Sequence, residues 1–145
     1  EVAQCLRHAV TAAKELGITI ALEYHGGTLT DTQESAHLLL KEVGLPELKL
    51  FWQPRAFGTY ETDIVELQAA LPHLANVHCF HWEPKEPGIS VTRKALSEGI
   101  AQWQGYLEYI RQVGGDRYIT LEFVKDDSPE QLIADTKTLH DLLTD

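Results

Sequence analysis

Hydrophobic and polar positions along the chain alternate between two periods, and the switching between them lays out the elements. Val2, Leu6, Val10 and Ala13 recur at helical spacing over residues 1–16, and Gly17 suits the left-handed position that ends a helix. A strand is expected over Ile18–Tyr24, broken by His25-Gly26-Gly27. Thr30 with Gln33 fits a capping box, so a second helix is expected from about Asp31 to Val43, stopped by Gly44. Leu48–Gln53 reads as the next strand, ended by Pro54, and a helix follows over about Thr62–Leu71. Asn76–His81 is a third strand. A long loop is expected over about Trp82–Ser97, where Pro84, Pro87 and Gly88 fall. Ile100–Val113 reads as a helix with Trp103, Leu107 and Ile110 on one face, and Tyr118–Val124 as the fourth strand. Ser128-Pro129-Glu130-Gln131 is a strong helix start, with Ser at the N-cap and Pro at the first helical position. The last helix is expected to run to about Leu143.

An opening helix followed by four strand–helix units implies an α/β fold with a parallel sheet and right-handed crossovers. Side chains alternate faces along a strand. Ile18, Ile20 and Leu22 form one apolar phase, as do Leu48, Leu50 and Trp52, Val77 and Cys79, and Ile119, Leu121 and Phe123. The opposite phases end in Glu23, Gln53, His78 and Glu122, each at or near the C-terminal end of its strand. Parallel α/β folds place their sites at that edge. The plainer alternative is a sheet with one solvated face, but such faces carry Lys, Thr and Glu throughout, whereas polarity here gathers at one end.

The chain has 145 residues, which suits a single domain over 1–145. Its net charge is −10 with 12 scattered basic residues, which disfavours a nucleic-acid partner. No apolar run approaches the roughly 20 residues of a membrane span. Cys5 and Cys79 make no disulfide framework, so both are read as reduced and the compartment as cytoplasmic. The sequence contains no methionine, which suggests a fragment or a processed product.

Two carboxylates and an imidazole from three strands suit a divalent cation (Mn²⁺, Mg²⁺, Co²⁺ or Zn²⁺), with Gln53 offering a neutral oxygen. Glu23 and Glu122 could then move a proton at a carbon next to a carbonyl. His25 and His81, where strands become loops, are candidate substrate contacts. So is Trp82, whose ring could pack on an apolar face of a ligand. Arg55 could meet a substrate anion, and Glu98 could close over the site. Trp103 is expected to serve helix packing.

The ordered series Ile20-Ala21-Leu22-Glu23-Tyr24-His25-Gly26-Gly27, Leu50-Phe51-Trp52-Gln53-Pro54, Asn76-Val77-His78-Cys79-Phe80-His81-Trp82, Leu96-Ser97-Glu98-Gly99 and Leu121-Glu122-Phe123-Val124 resembles the C-terminal half of the sugar phosphate isomerase/epimerase family. That family belongs to the xylose isomerase-like TIM barrels, together with the endonuclease IV group. The resemblance implies a metal held by Glu, Asp, His and Glu, matched here by Glu23, Gln53, His78 and Glu122. Gln53 departs from the pattern, and Ala56 stands where a His is often found. The resemblance also implies a half-barrel of four βα units, its lining face covered by self-association or by an N-terminal half-barrel.

The expected function is isomerisation or epimerisation of a small sugar or sugar phosphate by metal-assisted proton transfer through an enediolate. The alternatives are an endonuclease IV-like phosphodiesterase, which the acidic charge disfavours, and a non-catalytic carbohydrate-binding descendant, for which Gln53 is the motive.

Overall fold

A computed structural model describes residues 1–86 and 88–144. The first helix, α1 (Val2–Glu15), ends at Leu16, and Gly17 takes φ 68° as its position after the helix requires. Strand β1 (Ile20–Glu23) leads to α2 (Gln33–Val43). Strand β2 (Leu48–Trp52) leads to α3 (Tyr60–Ala70), and β3 (Leu74–Cys79) follows after a short 3₁₀ turn. The chain then forms a pair of strands, β4 (His81–Glu86) and β5 (Ser90–Lys94), before α4 (Ile100–Arg111), β6 (Tyr118–Leu121) and α5 (Pro129–Thr144).

Strands β1, β2, β3 and β6 form one parallel sheet in that order, as the alternation of elements predicts and as the resemblance to half of a xylose isomerase-like barrel implies. Their apolar phase meets the helices: Leu48, Leu50, Trp52, Val77 and Cys79 are fully buried. Trp52 sits edge-on to Trp103 and Tyr106 of α4, and Trp103 donates its indole N–H to Phe80 O at 2.8 Å. Trp103 is therefore core, as expected. On the opposite face Thr19, Ala21, Lys49, Phe51 and Asn76 line a shallow open depression near the N-terminal ends of the strands.

Two local expectations are corrected. The long loop over 82–97 is instead mostly an antiparallel hairpin, β4–β5, pairing His81 with Lys94 and Trp82 with Arg93. Pro84 is accommodated because a two-stranded ribbon leaves outer edges that need no N–H, and the register shifts between Pro84 and Glu86. Gly88 at φ 73° and an Ile89 N–H···O=C Glu86 bond of 2.9 Å make the turn; Pro87 lies outside the described residues. The cap of α2 is Thr32 rather than Thr30, with Ser35 completing the reciprocal pair. Thr30 is occupied elsewhere: its hydroxyl donates to Glu23 O at 2.6 Å and ties the β1–α2 loop to the end of β1. The start of α5 is as expected, Gln131 N–H donating to Ser128 Oγ at 3.2 Å.

Among the described residues no helix is long and apolar enough to cross a membrane.

Candidate active site

Glu23 closes β1, Gln53 follows β2, His78 lies in β3 and Glu122 follows β6. The sheet order brings these four together at the C-terminal edge. His78 Nδ1 is 2.9 Å from Gln53 Oε1, 3.1 Å from Glu122 Oε2 and 3.5 Å from Glu23 Oε1. The Gln53 amide is oriented by its own N–H, which Nε2 donates to Tyr24 O at 3.1 Å, so Oε1 faces the imidazole as an acceptor. The His78 ring lies against Phe51, with centroids 4.8 Å apart. Glu122 is anchored through its N–H to Cys79 O at 3.1 Å, and Phe123 beyond it turns the chain with φ 50°. A positive φ is strained for a bulky residue, and such strain persists only where the surroundings impose it. Here Phe123 stacks on Trp82 at 5.0 Å and meets Phe80 edge-on at 5.1 Å.

The cluster has more acceptors than protons. One Nδ1–H serves Gln53 Oε1, leaving buried Glu122 Oε2 near the same nitrogen without a hydrogen bond of sound geometry. The short Nδ1–Oε2 separation is therefore a close approach rather than a directed bond. Burial pushes the proton affinity of Glu122 up and the charge of Glu23 adds to this, while His78 opposes it. Glu23, His78 and Glu122 offer ligand atoms within 4.8 Å of one another, and Gln53 Oε1 joins them. Three oxygens gathered about one imidazole nitrogen, two of them from carboxylates, fit a hard or borderline divalent cation that displaces the Nδ1 proton. The Gln53 amide keeps the oxygen count of a carboxylate ligand set but removes one charge.

The remaining expected contacts divide between two clefts. His25, Arg55 and Trp82 line a cleft of about 550 Å³ that opens beside Gln53. His81 and Glu98 line a neighbouring one of about 340 Å³, which shares Arg55 and Trp82. His81 packs against Gly99, where an added Cβ would fall 2.6 Å from Nδ1, and burial lowers its proton affinity. Glu98 accepts the Ala95 N–H at 3.2 Å and pairs with Lys94. Neither is in the His78 cluster.

Sequence reasoning passed over three residues that shape these clefts. Tyr24 is 3% exposed and follows Glu23. Glu66, on α3, lines the larger cleft with its Oε1 3.9 Å from Arg55 Nε. Asp63 is buried at 5% exposure and accepts the Arg55 N–H at 3.1 Å and the Tyr106 hydroxyl at 2.9 Å, fixing the loop after β2. An acidic residue in the first turn of α3, at the head of the buried face that continues through Leu67 and Ala70, is the one sequence signal that could have marked it.

A strand-edge site of this kind, on a run of parallel βα units, defines a class, and the family comparison agrees. The family model described as "Xylose isomerase-like TIM barrel" matches residues 1–141, and the chain belongs to that family. No curated protein matches the chain significantly. Among solved structures, it is similar to a probable 3-DHS dehydratase, AsbF, from Bacillus anthracis (TM-score 0.74, 21% identity, 95% of this chain and 55% of that one). It is also similar to a xylose isomerase domain protein from Planctomyces limnophilus (0.74, 20%, 98% and 51%). A third is a D-psicose 3-epimerase from Clostridium cellulolyticum H10 (0.60, 13%, 98% and 54%). At these identities the likeness is one of fold. The chain spans about half the length of these structures.

Proposed function

We propose that this chain carries the metal-binding edge of a sugar isomerase or epimerase, acting on a small sugar or sugar phosphate by proton transfer beside a carbonyl. The observation that carries the reading is the convergence of Glu23, Gln53 and Glu122 on His78 Nδ1, with acceptors in excess of protons. Glu23, Gln53, His78 and Glu122 would hold the cation, which when bound supplies Lewis-acid polarisation of a substrate oxygen. Glu122 takes the proton from the carbon next to the carbonyl. Glu23, at the other side of the imidazole, returns a proton to the carbon or its oxygen. Trp82 and Phe123 offer apolar faces for the sugar and help exclude water. Proton abstraction beside a carbonyl is also the first event of a dehydration, so the similarity to the probable dehydratase sits within the same chemistry.

Metal content measured by mass spectrometry on chelator-free protein tests the reading, comparing the parent chain with His78→Ala. Near-stoichiometric divalent metal that is lost in the variant is the expected result. Equal, trace metal in both would refute the metal reading and leave sugar binding without turnover as the better account.

A further inference from the structure

The cleft beside the His78 cluster has a chemistry of its own. It begins at Tyr24, His25 and Gln53 and extends to Arg55, Glu66 and Trp82. Phe57 and Phe123 add apolar wall. Three buried polar atoms on residues of that wall have no partner among the described residues: Tyr24 Oη, Glu66 Oε2 and Trp82 Nε1. Buried polar groups are normally satisfied, so three exceptions around one cleft set its wall apart from ordinary apolar packing. The cleft also contains a spaced ion pair. Arg55 Nε and Glu66 Oε1 are 3.9 Å apart, too far to hydrogen-bond directly. A group placed between them must accept from the guanidinium and donate to the carboxylate. A hydroxyl does both; a phosphate or carboxylate only accepts. An anion would also meet Glu66 itself, with Asp63 held behind Arg55 by the backbone bond at 3.1 Å. The one guanidinium of the cleft is thereby offset.

We propose that this cleft is the subsite for the uncharged, hydroxylated end of a sugar or polyol, and that Glu66 excludes a phosphorylated end. The ligand class rests on the sugar reading above; the discrimination against phosphate is additional to it. Ala56 leaves room where a larger side chain would fill the wall.

The test titrates D-fructose and D-fructose 6-phosphate by calorimetry into the 145-residue chain and into Glu66→Gln and Arg55→Gln, with Mn²⁺ titrated in parallel. The parent chain should bind fructose about tenfold or more tighter than its phosphate. Glu66→Gln, which frees the guanidinium, should erase or reverse that preference. Arg55→Gln, which leaves Glu66 unopposed, should widen it, and it carries the test if Glu66→Gln does not fold. A parent chain that prefers the phosphate, or ratios unchanged in folded variants, overturns the proposal. Stoichiometric Mn²⁺ binding with no binding of either sugar overturns the subsite and leaves the metal reading standing. Fructose preference that responds to Glu66→Gln without any Mn²⁺ binding does the reverse.

Discussion

Removing the carboxylate of Asp63 should loosen the loop that carries Gln53 and Arg55, and the cost can be worked from its partners. Asp63 accepts the Arg55 N–H and the Tyr106 hydroxyl while 5% exposed. Hydrogen bonds to a charged acceptor contribute about 1.5–3 kcal/mol each, and both donors are left buried in Asp63→Ala. Relief of burying the carboxylate offsets part of this, so a net loss of about 2–4 kcal/mol is expected. With a urea slope of roughly 1–3 kcal/mol/M, the unfolding midpoint should fall by about 1–2 M at constant slope. Tyr106→Phe removes one of the two bonds without opening a cavity and should cost about 1.5–3 kcal/mol. A second arm uses pH. Burial, the dominant influence, raises the proton affinity of Asp63 above the ordinary carboxylate value, against its two hydrogen bonds. A raised folded-state pKa stabilises below the unfolded-state value and loses that contribution as pH rises through the folded-state value. The stability of the parent chain relative to Asp63→Asn should therefore decline as pH rises from about 3.5 towards neutrality. A midpoint shift under about 0.3 M for Asp63→Ala, or a difference that grows with pH, would refute the reasoning.

Three further outcomes follow from the same geometry. Gln53→Asp adds a carboxylate to the His78 cluster and should tighten Mn²⁺ binding by about tenfold, read by calorimetry; unchanged affinity would remove Gln53 from the ligand set. In Gly105→Ala the new Cβ collides with the Tyr60 hydroxyl, whose ring is held against Tyr106 at 5.3 Å. Despite the better helix propensity of Ala, a loss of about 1–3 kcal/mol in thermal unfolding is expected, and a stabilised variant would show that Tyr60 moves freely. A thiol reagent should titrate one cysteine in the native chain, exposed Cys5, and two in denaturant. Cys79 is buried and its thiol is pushed well above the ordinary range by that burial. Two fast thiols in the native chain would contradict the packing of β3.

The strand phases could be read directly because their cause is local: Leu48, Leu50 and Trp52 alternate with Lys49, Phe51 and Gln53, and the pleat does the rest. The gathering of Glu23, Gln53, His78 and Glu122 at one edge followed from the same alternation plus parallel order. What could not be read depends on partners far along the chain. The hairpin over 81–94 is written in a segment whose prolines argue for a loop, and the two-stranded ribbon tolerates them because its outer edges are free. Thr30 and Thr32 are equally good caps in sequence; only the proximity of Glu23 O decides which hydroxyl is already engaged. Glu66 and Tyr24 border the larger cleft, yet they lie 42 residues apart and on different elements, which no periodicity reports.

The hairpin also bears on the order in which the chain assembles. Its strands join His81 to Lys94, 13 positions away, whereas the parallel ladder must join Ile20 to Leu48 and Val77 to Ile119, 28 and 42 positions apart. Closing a longer loop costs more chain entropy, and non-local pairing slows folding. The β4–β5 ribbon should therefore form while the β3–β6 ladder is still open. Docking of β6 becomes the late event, and it is the step that delivers Glu122 to His78.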